Sequence, residues 1–176
     1  MKGITFLLFL LNFGASAETL DCLEAKAIKS FEDAKSQVGK YPTNDGPFLK
    51  SPCLVKEFKR ILGDDYDNYV NRFLSTCATY QIKSKGNTVC VEKSEAHVGV
   101  FGMSFILLDL KTNRMHLVWL RSGWEEHDIK TFGDLPLADE AKSLILETYD
   151  ASWSHVVDAS FEKDELRLKK AKEHDK

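Results

Sequence analysis

Apolar positions recur along the first half of the chain at helical spacing and along the second half in alternation. Leu20, Leu23, Ala27, Ile28, Phe31, Ala34 and Val38 fall about one helical turn apart with charged residues between them, which predicts an amphipathic helix closed by Gly39 and Pro42. Ser51-Pro52 then opens a second helix, with Ser as N-cap and Pro at its first position, and Leu54, Val55, Phe58, Ile61 and Leu62 form its apolar face ahead of Gly63. Asp64 or Asp65 caps a third, short helix through Tyr66, Tyr69, Val70, Phe73 and Leu74, whose spacing marks core aromatics.

From Thr79 the period changes to two. Thr79–Lys83 and Thr88–Glu92 alternate around Lys85-Gly86-Asn87, a hairpin signature. Val100–Leu110 follows, and its Phe105-Ile106-Leu107-Leu108 is apolar on both faces, which places it in the middle of a sheet. Asp109–Asn113 makes a turn, Arg114–Leu120 returns, and Asp128–Phe132 adds an edge strand. Leu137–Tyr149 reads as a helix after Pro136. Helices, an antiparallel meander of four to five strands and a C-terminal helix make an α+β domain over residues 18–160. Residues 161–176 hold eleven charged residues of both signs and little apolar surface, and read as a frayed or disordered tail.

The N-terminus changes the setting. Lys2, an apolar run from Ile4 to Phe13, and Ala15-Ser16-Ala17 ahead of Glu18 have the layout of a secretory signal peptide over residues 1–17. The run is shorter than the about 20 residues a membrane-spanning helix needs. The expected mature protein is therefore periplasmic or secreted, without a membrane anchor once the signal is cleaved. Lys2 is the only charged residue in that segment, so the formal charge of −3 falls by one in the mature chain. Such mild acidity is the opposite of a nucleic-acid-binding face and suits a basic partner.

Export makes disulfides the expected fate of Cys22, Cys53, Cys77 and Cys90. Three connectivities are open, of which Cys22–Cys53 and Cys77–Cys90 link neighbouring predicted elements. No C-x-x-C pair or neighbouring histidine points to zinc, and no other metal or cofactor is indicated.

Catalytic motifs are sparse. There is no G-x-S-x-G, P-loop, G-x-G-x-x-G or H-E-x-x-H pattern. Gly99 and Gly102 bracket Val100-Phe101 without a phosphate-binding context and mark a bulge or a close backbone approach. The carboxylates of Asp64-Asp65-Tyr66-Asp67 and Glu125-Glu126-His127-Asp128 fall in expected loops, which leaves a small carboxylate-dependent hydrolase as a remote reading. Ser94-Glu95-Ala96-His97 lies where a loop projects from the end of the sheet, the kind of place where binding residues concentrate.

Cys90–Leu120, with the loop histidine His97, Phe105-Ile106-Leu107-Leu108-Asp109-Leu110-Lys111-Thr112-Asn113 and Arg114-Met115-His116-Leu117-Val118-Trp119-Leu120, resembles the Ivy-type lysozyme inhibitors exported by bacteria. In that family a disulfide-closed C-x-P-H-x-C loop carries a histidine into the lysozyme cleft. Here the histidine falls on His97, while Ser94, Gly99 and Ala96 stand at the cysteine and proline positions. The resemblance implies an inhibitor of lysozyme or another cell-wall hydrolase, with His97, Glu92 and Glu95 meeting a basic cleft. The alternative is an exported immunity or accessory protein that binds a toxin or envelope component through Trp119, Trp124, Glu125 and Glu126.

Overall fold

The computed structural model describes residues 23–43, 46–74, 80–95, 102–122, 127–134, 136–153 and 157–170. The expected signal peptide lies outside them.

A five-stranded antiparallel sheet forms the frame, in the order β1 (Lys83–Lys85), β2 (Thr88–Ser94), β3 (Gly102–Asp109), β4 (Arg114–Ser122), β5 (His127–Phe132). β3 is central, as its run of apolar residues requires. Side chains alternate across it: Ile106 and Leu108 enter one core, and Phe105 and Leu107 enter the other. Register follows the same alternation, with Val91 opposite Ile106 and Ile106 opposite Leu117 on one face, and Phe105 opposite Val118 on the other. The β1–β2 turn is Gly86-Asn87, with Gly86 at a φ of 56°. In the β3–β4 turn the Asp109 carboxylate accepts the backbone N–H of Lys111 (2.8 Å) and Thr112 (3.2 Å), and Asn113 takes a φ of 55°.

On the first face lie α1 (Pro52–Leu62), α2 (Tyr66–Tyr69) and a π turn over Val70–Leu74. Leu54, Phe58, Tyr69 and Phe73 are buried against Met115, Leu117 and Trp119. Gly63 ends α1 with a φ of 53°, a left-handed geometry at which glycine avoids the Cβ penalty. Ser51 stands at the N-cap, but its hydroxyl accepts from Ile28 N–H (2.9 Å) and donates to the Phe48 carbonyl (2.6 Å) instead of capping α1.

The N-terminal segment departs from the expected helix. Ala25 N–H donates to the Tyr41 carbonyl (3.0 Å) and Tyr41 N–H to that of Leu23 (3.1 Å), and only Glu32–Gln37 is helical, as a 3₁₀ turn. The buried positions Ala25, Ile28, Phe31 and Ala34 recur every third residue, but only Ala34 lies in the 3₁₀ turn. Side chains also hold backbone amides that an α-helix would use: Asp33 accepts from Lys29 and Ser30 (both 3.0 Å), and Gln37 accepts from Lys26 (2.7 Å). Leu23 and Val38, assigned to the helical stripe, are exposed.

On the opposite face α3 (Asp139–Trp153) packs Ala141, Leu144, Ile145 and Tyr149 onto Phe105, Leu107, Val118 and Leu120. A hairpin of β6 (Val157–Glu162) and β7 (Glu165–Lys170) joins this core through Leu166. Residues 161–162 and 165–170 of the expected tail are therefore paired strand, joined by a turn at 163–164. At the hairpin turn Asp164 accepts Leu137 N–H (3.2 Å) and pairs with Lys142 (2.8 Å), tying the turn to the start of α3.

Phe58 is fully buried with its ring 5.7 Å from that of Tyr69. Phe58→Ala should cost about 3–5 kcal/mol, read as a lowered urea midpoint of unfolding.

Candidate functional site

The β2–β3 connection, residues 96–101, leaves the sheet from a stem whose two sides are Glu95 and Gly102. Glu95 N–H donates to the Gly102 carbonyl at 2.8 Å, continuing the ladder one step past Ser94 and Met103. The Glu95 side chain then lies across Gly102: a Cβ at that position would stand 2.6 Å from Glu95 Oε2 and 2.7 Å from Glu95 Cβ. No residue but glycine fits beneath it without displacement. The close approach expected at Gly102 is thus one between a backbone and a carboxylate side chain.

Arg72 of the π turn closes the stem from the first face. Its guanidinium is 3.5 Å from Glu95 Oε1, with both side chains only partly exposed, and it also lies over the Trp119 ring at 5.8 Å. Lys130 of β5 covers the same ring at 5.7 Å. Strand register explains this gathering, because Lys93 opposes Ser104, Ser104 opposes Trp119, and Trp119 opposes Lys130 along one row. Above that row the Tyr69 hydroxyl and Ser104 share a buried hydrogen bond of 2.7 Å, and burial pushes the Tyr69 phenol well above its ordinary range. Lys93 is fully buried in the row, and the Trp119 indole N–H is buried without an acceptor. A single π turn frequently accompanies functional sites, and this one supplies the arginine that holds the stem.

β4 and β5 are joined at the same end of the sheet, since Gly102 opposes Arg121 and Ser122 opposes His127. The connection that carries Trp124, Glu125 and Glu126 therefore departs beside the one that carries His97. Those four residues lie outside the described residues, whereas the expected contacts Glu92, Glu95 and Trp119 are placed with their side chains, Glu95 at the stem. The other two are corrected. Trp119 is a core residue, edge-on to Phe73 (5.4 Å) and stacked on Phe132 (6.4 Å), not a surface contact. Glu92 points to the α3 side and is 3% exposed, so it cannot meet a partner at the surface.

Both described cysteines are free thiols. Cys53 is half-buried at the start of α1 and donates to the Ile28 carbonyl at 3.6 Å. Cys90 is buried on the α3 side, where burial and then the charge of Glu92 push its thiol up to about 12. They belong to opposite cores and cannot join each other. Cys22 and Cys77, the expected partners, lie outside the described residues.

Elsewhere, His116 lines a 120 Å³ cavity with Thr88, Leu107, Asp109 and the start of α3. Its Nδ1 has no partner, and burial lowers its pKa, which favours the neutral ring. Among the described residues no three His, Cys, Asp or Glu side chains converge as metal ligands. No protein-family model matches the chain, and neither does any curated protein or solved structure.

Sequence reasoning singled out Gly102 for its lack of a side chain, but not Arg72, whose role depends on the turn that carries it over the sheet. Gly102→Ala should displace Glu95 and cost about 1–3 kcal/mol. In that background the effect of Arg72→Ala should shrink, a non-additivity measurable by a double-mutant cycle of urea unfolding.

Proposed function

We propose that this chain is an exported binding protein that inhibits a lysozyme or another basic cell-wall hydrolase through the end of the sheet carrying the 96–101 connection. One observation carries the reading: the stem of that connection is clamped. A loop that enters a cleft gains affinity when it is ordered before it docks, because less conformational entropy is lost on binding. Ivy-type inhibitors achieve this with a disulfide across the loop. Here the stem has instead a 2.8 Å backbone hydrogen bond, a glycine that accepts a side chain packed over it, and an arginine paired with that side chain.

In this reading His97 is the inserting residue, and Glu95 holds the stem instead of contacting the partner. Acidic Glu125 and Glu126, leaving from the adjacent connection, steer a basic enzyme toward this end. Steering of this kind speeds association and weakens with salt.

The test is a cell-wall lysis assay in which the mature protein, residues 18–176, is titrated against c-type, g-type and i-type lysozymes at low salt. Stoichiometric inhibition of one type is expected. His97→Ala should weaken it by about tenfold or more, and Arg72→Ala by about two- to fivefold through a loosened stem. Failure of the folded protein to inhibit any type would remove the reading. Lysis of cell walls by the protein alone would favour a hydrolase.

A further inference from the structure

Glu92 is an anomaly of the second core. Its carboxyl is 3% exposed, and neither oxygen has a hydrogen-bond partner. Buried carboxylates are ordinarily paired, because removing a bare charge from water is costly. The neighbouring cation is Lys83 of β1, two residues along the ladder opposite Cys90, but its ammonium donates to the Thr148 hydroxyl of α3 at 3.1 Å. Lys83 thus bridges β1 to α3 while Glu92 lies unpaired beneath the same helix.

The placement matters for the stem. On the α3 side of the sheet Glu92 opposes Phe105, and the next pair on that face is Ser94 with Met103. Beyond that pair stand Glu95 and Gly102. Phe105 and Met103 share one core with Leu144, Ile145 and Tyr149 of α3. A change in how α3 packs on Phe105 and Met103 is therefore passed along the β2–β3 ladder to the Glu95–Gly102 rung, where the Glu95 side chain is held on the other face.

We propose that Glu92 is a proton-controlled latch: uncharged, it lets α3 lie closed over β2, and ionised, it draws Lys83 from Thr148 and loosens that cover and, through β2, the stem at its end. The regulation rests on the stem being the binding surface; the latch itself does not. Besides Lys83, the titratable groups around Glu92 among the described residues are Tyr80 ahead of β1 and Cys90 on β2, and both feel its charge. Tyr149 of α3 lies in the same core, and Phe105 on β3 adds no charge. At the outer surface Lys85 is engaged by Glu147 and Ser143 of α3.

Burial raises the Glu92 carboxyl from an ordinary 4.5 to about 7, against a smaller opposing pull from Lys83. The unfolded chain releases this proton near 4.5, so the folded state is favoured below that pH and loses the advantage as pH rises through about 7. His116 works in the other direction. Burial depresses its pKa below 6.5, so its contribution is lost as pH falls below that value.

The experiment follows the Glu carboxyl carbons by NMR titration of the purified chain and measures hydrogen exchange at the Glu95 amide at about pH 5.5 and about pH 8.5, corrected for intrinsic rates. Glu92 is expected to titrate near neutrality. Glu95 protection should fall by about tenfold or more at the higher pH in the wild type, and by less than about threefold in Glu92→Gln. Lys83→Met should move the Glu92 titration further up, and this readout stands if Glu92→Gln does not fold. Titration of Glu92 in the ordinary carboxylate range, or an equal fall in protection in wild type and Glu92→Gln, would overturn the latch. Neither readout involves a partner, so failure of the latch is separable from failure of the inhibitor reading.

Discussion

Burial of β3 on both of its faces is the constraint from which the other elements follow. Phe105 and Leu107 need cover on one side, and Ile106 and Leu108 need it on the other. A sheet that hides both faces must have a layer on each, and the chain supplies them from its two ends. α1, α2 and the π turn come from before the sheet, and α3 with the β6–β7 hairpin comes from after it. Removing water from both sides of one strand accounts for the order of elements along the chain.

That arrangement also makes the site. Covering the first face brings the π turn over the end of the sheet, where Arg72 reaches both Trp119 and Glu95. The aromatic packing of Tyr69, Phe73 and Trp119 fixes the turn, and the turn fixes the arginine. Covering the second face places α3 over Glu92, a polar residue at a position where the alternation of the strand calls for an apolar one. Stability and the candidate function thus draw on the same stretch of chain: β2 carries the unpaired carboxyl of Glu92, and Glu95, just past its end, clamps the stem.

Much of this frame was legible in the residues. The doubly apolar run of β3, the Gly86-Asn87 turn and the start of α1 at Pro52 each state a local rule that packing then obeys, whereas the Ser51 hydroxyl is drawn away from the cap and β2 is buried along its whole length instead of half-buried as its alternation suggests. The N-terminal segment differs from its pattern because a three-residue spacing of apolar positions resembles a helical stripe over a short window, and because Asp33 captures its amides locally while Gln37 and Ser51 do so from farther along the chain. The last hairpin was obscured by its charges. Its apolar positions, Val157, Ala159, Phe161, Leu166 and Leu168, do alternate but stand among many charged neighbours, and the turn is pinned by Leu137 and Lys142 at the start of α3, far off in sequence. Of the site, the loop position and Gly102 could be read from sequence. The arginine, the burial of Glu92 and the core role of Trp119 could not, because each depends on which face of the sheet a neighbour covers.

The most direct measurement is amide chemical-shift mapping of the isotope-labelled protein against each lysozyme type. The binding account requires perturbations centred on Glu95, Gly102, Arg121 and His127, at the end of the sheet where both connections leave. Perturbations centred instead on Thr88, Asp109 and His116 at the opposite end, or none with any lysozyme, would contradict it.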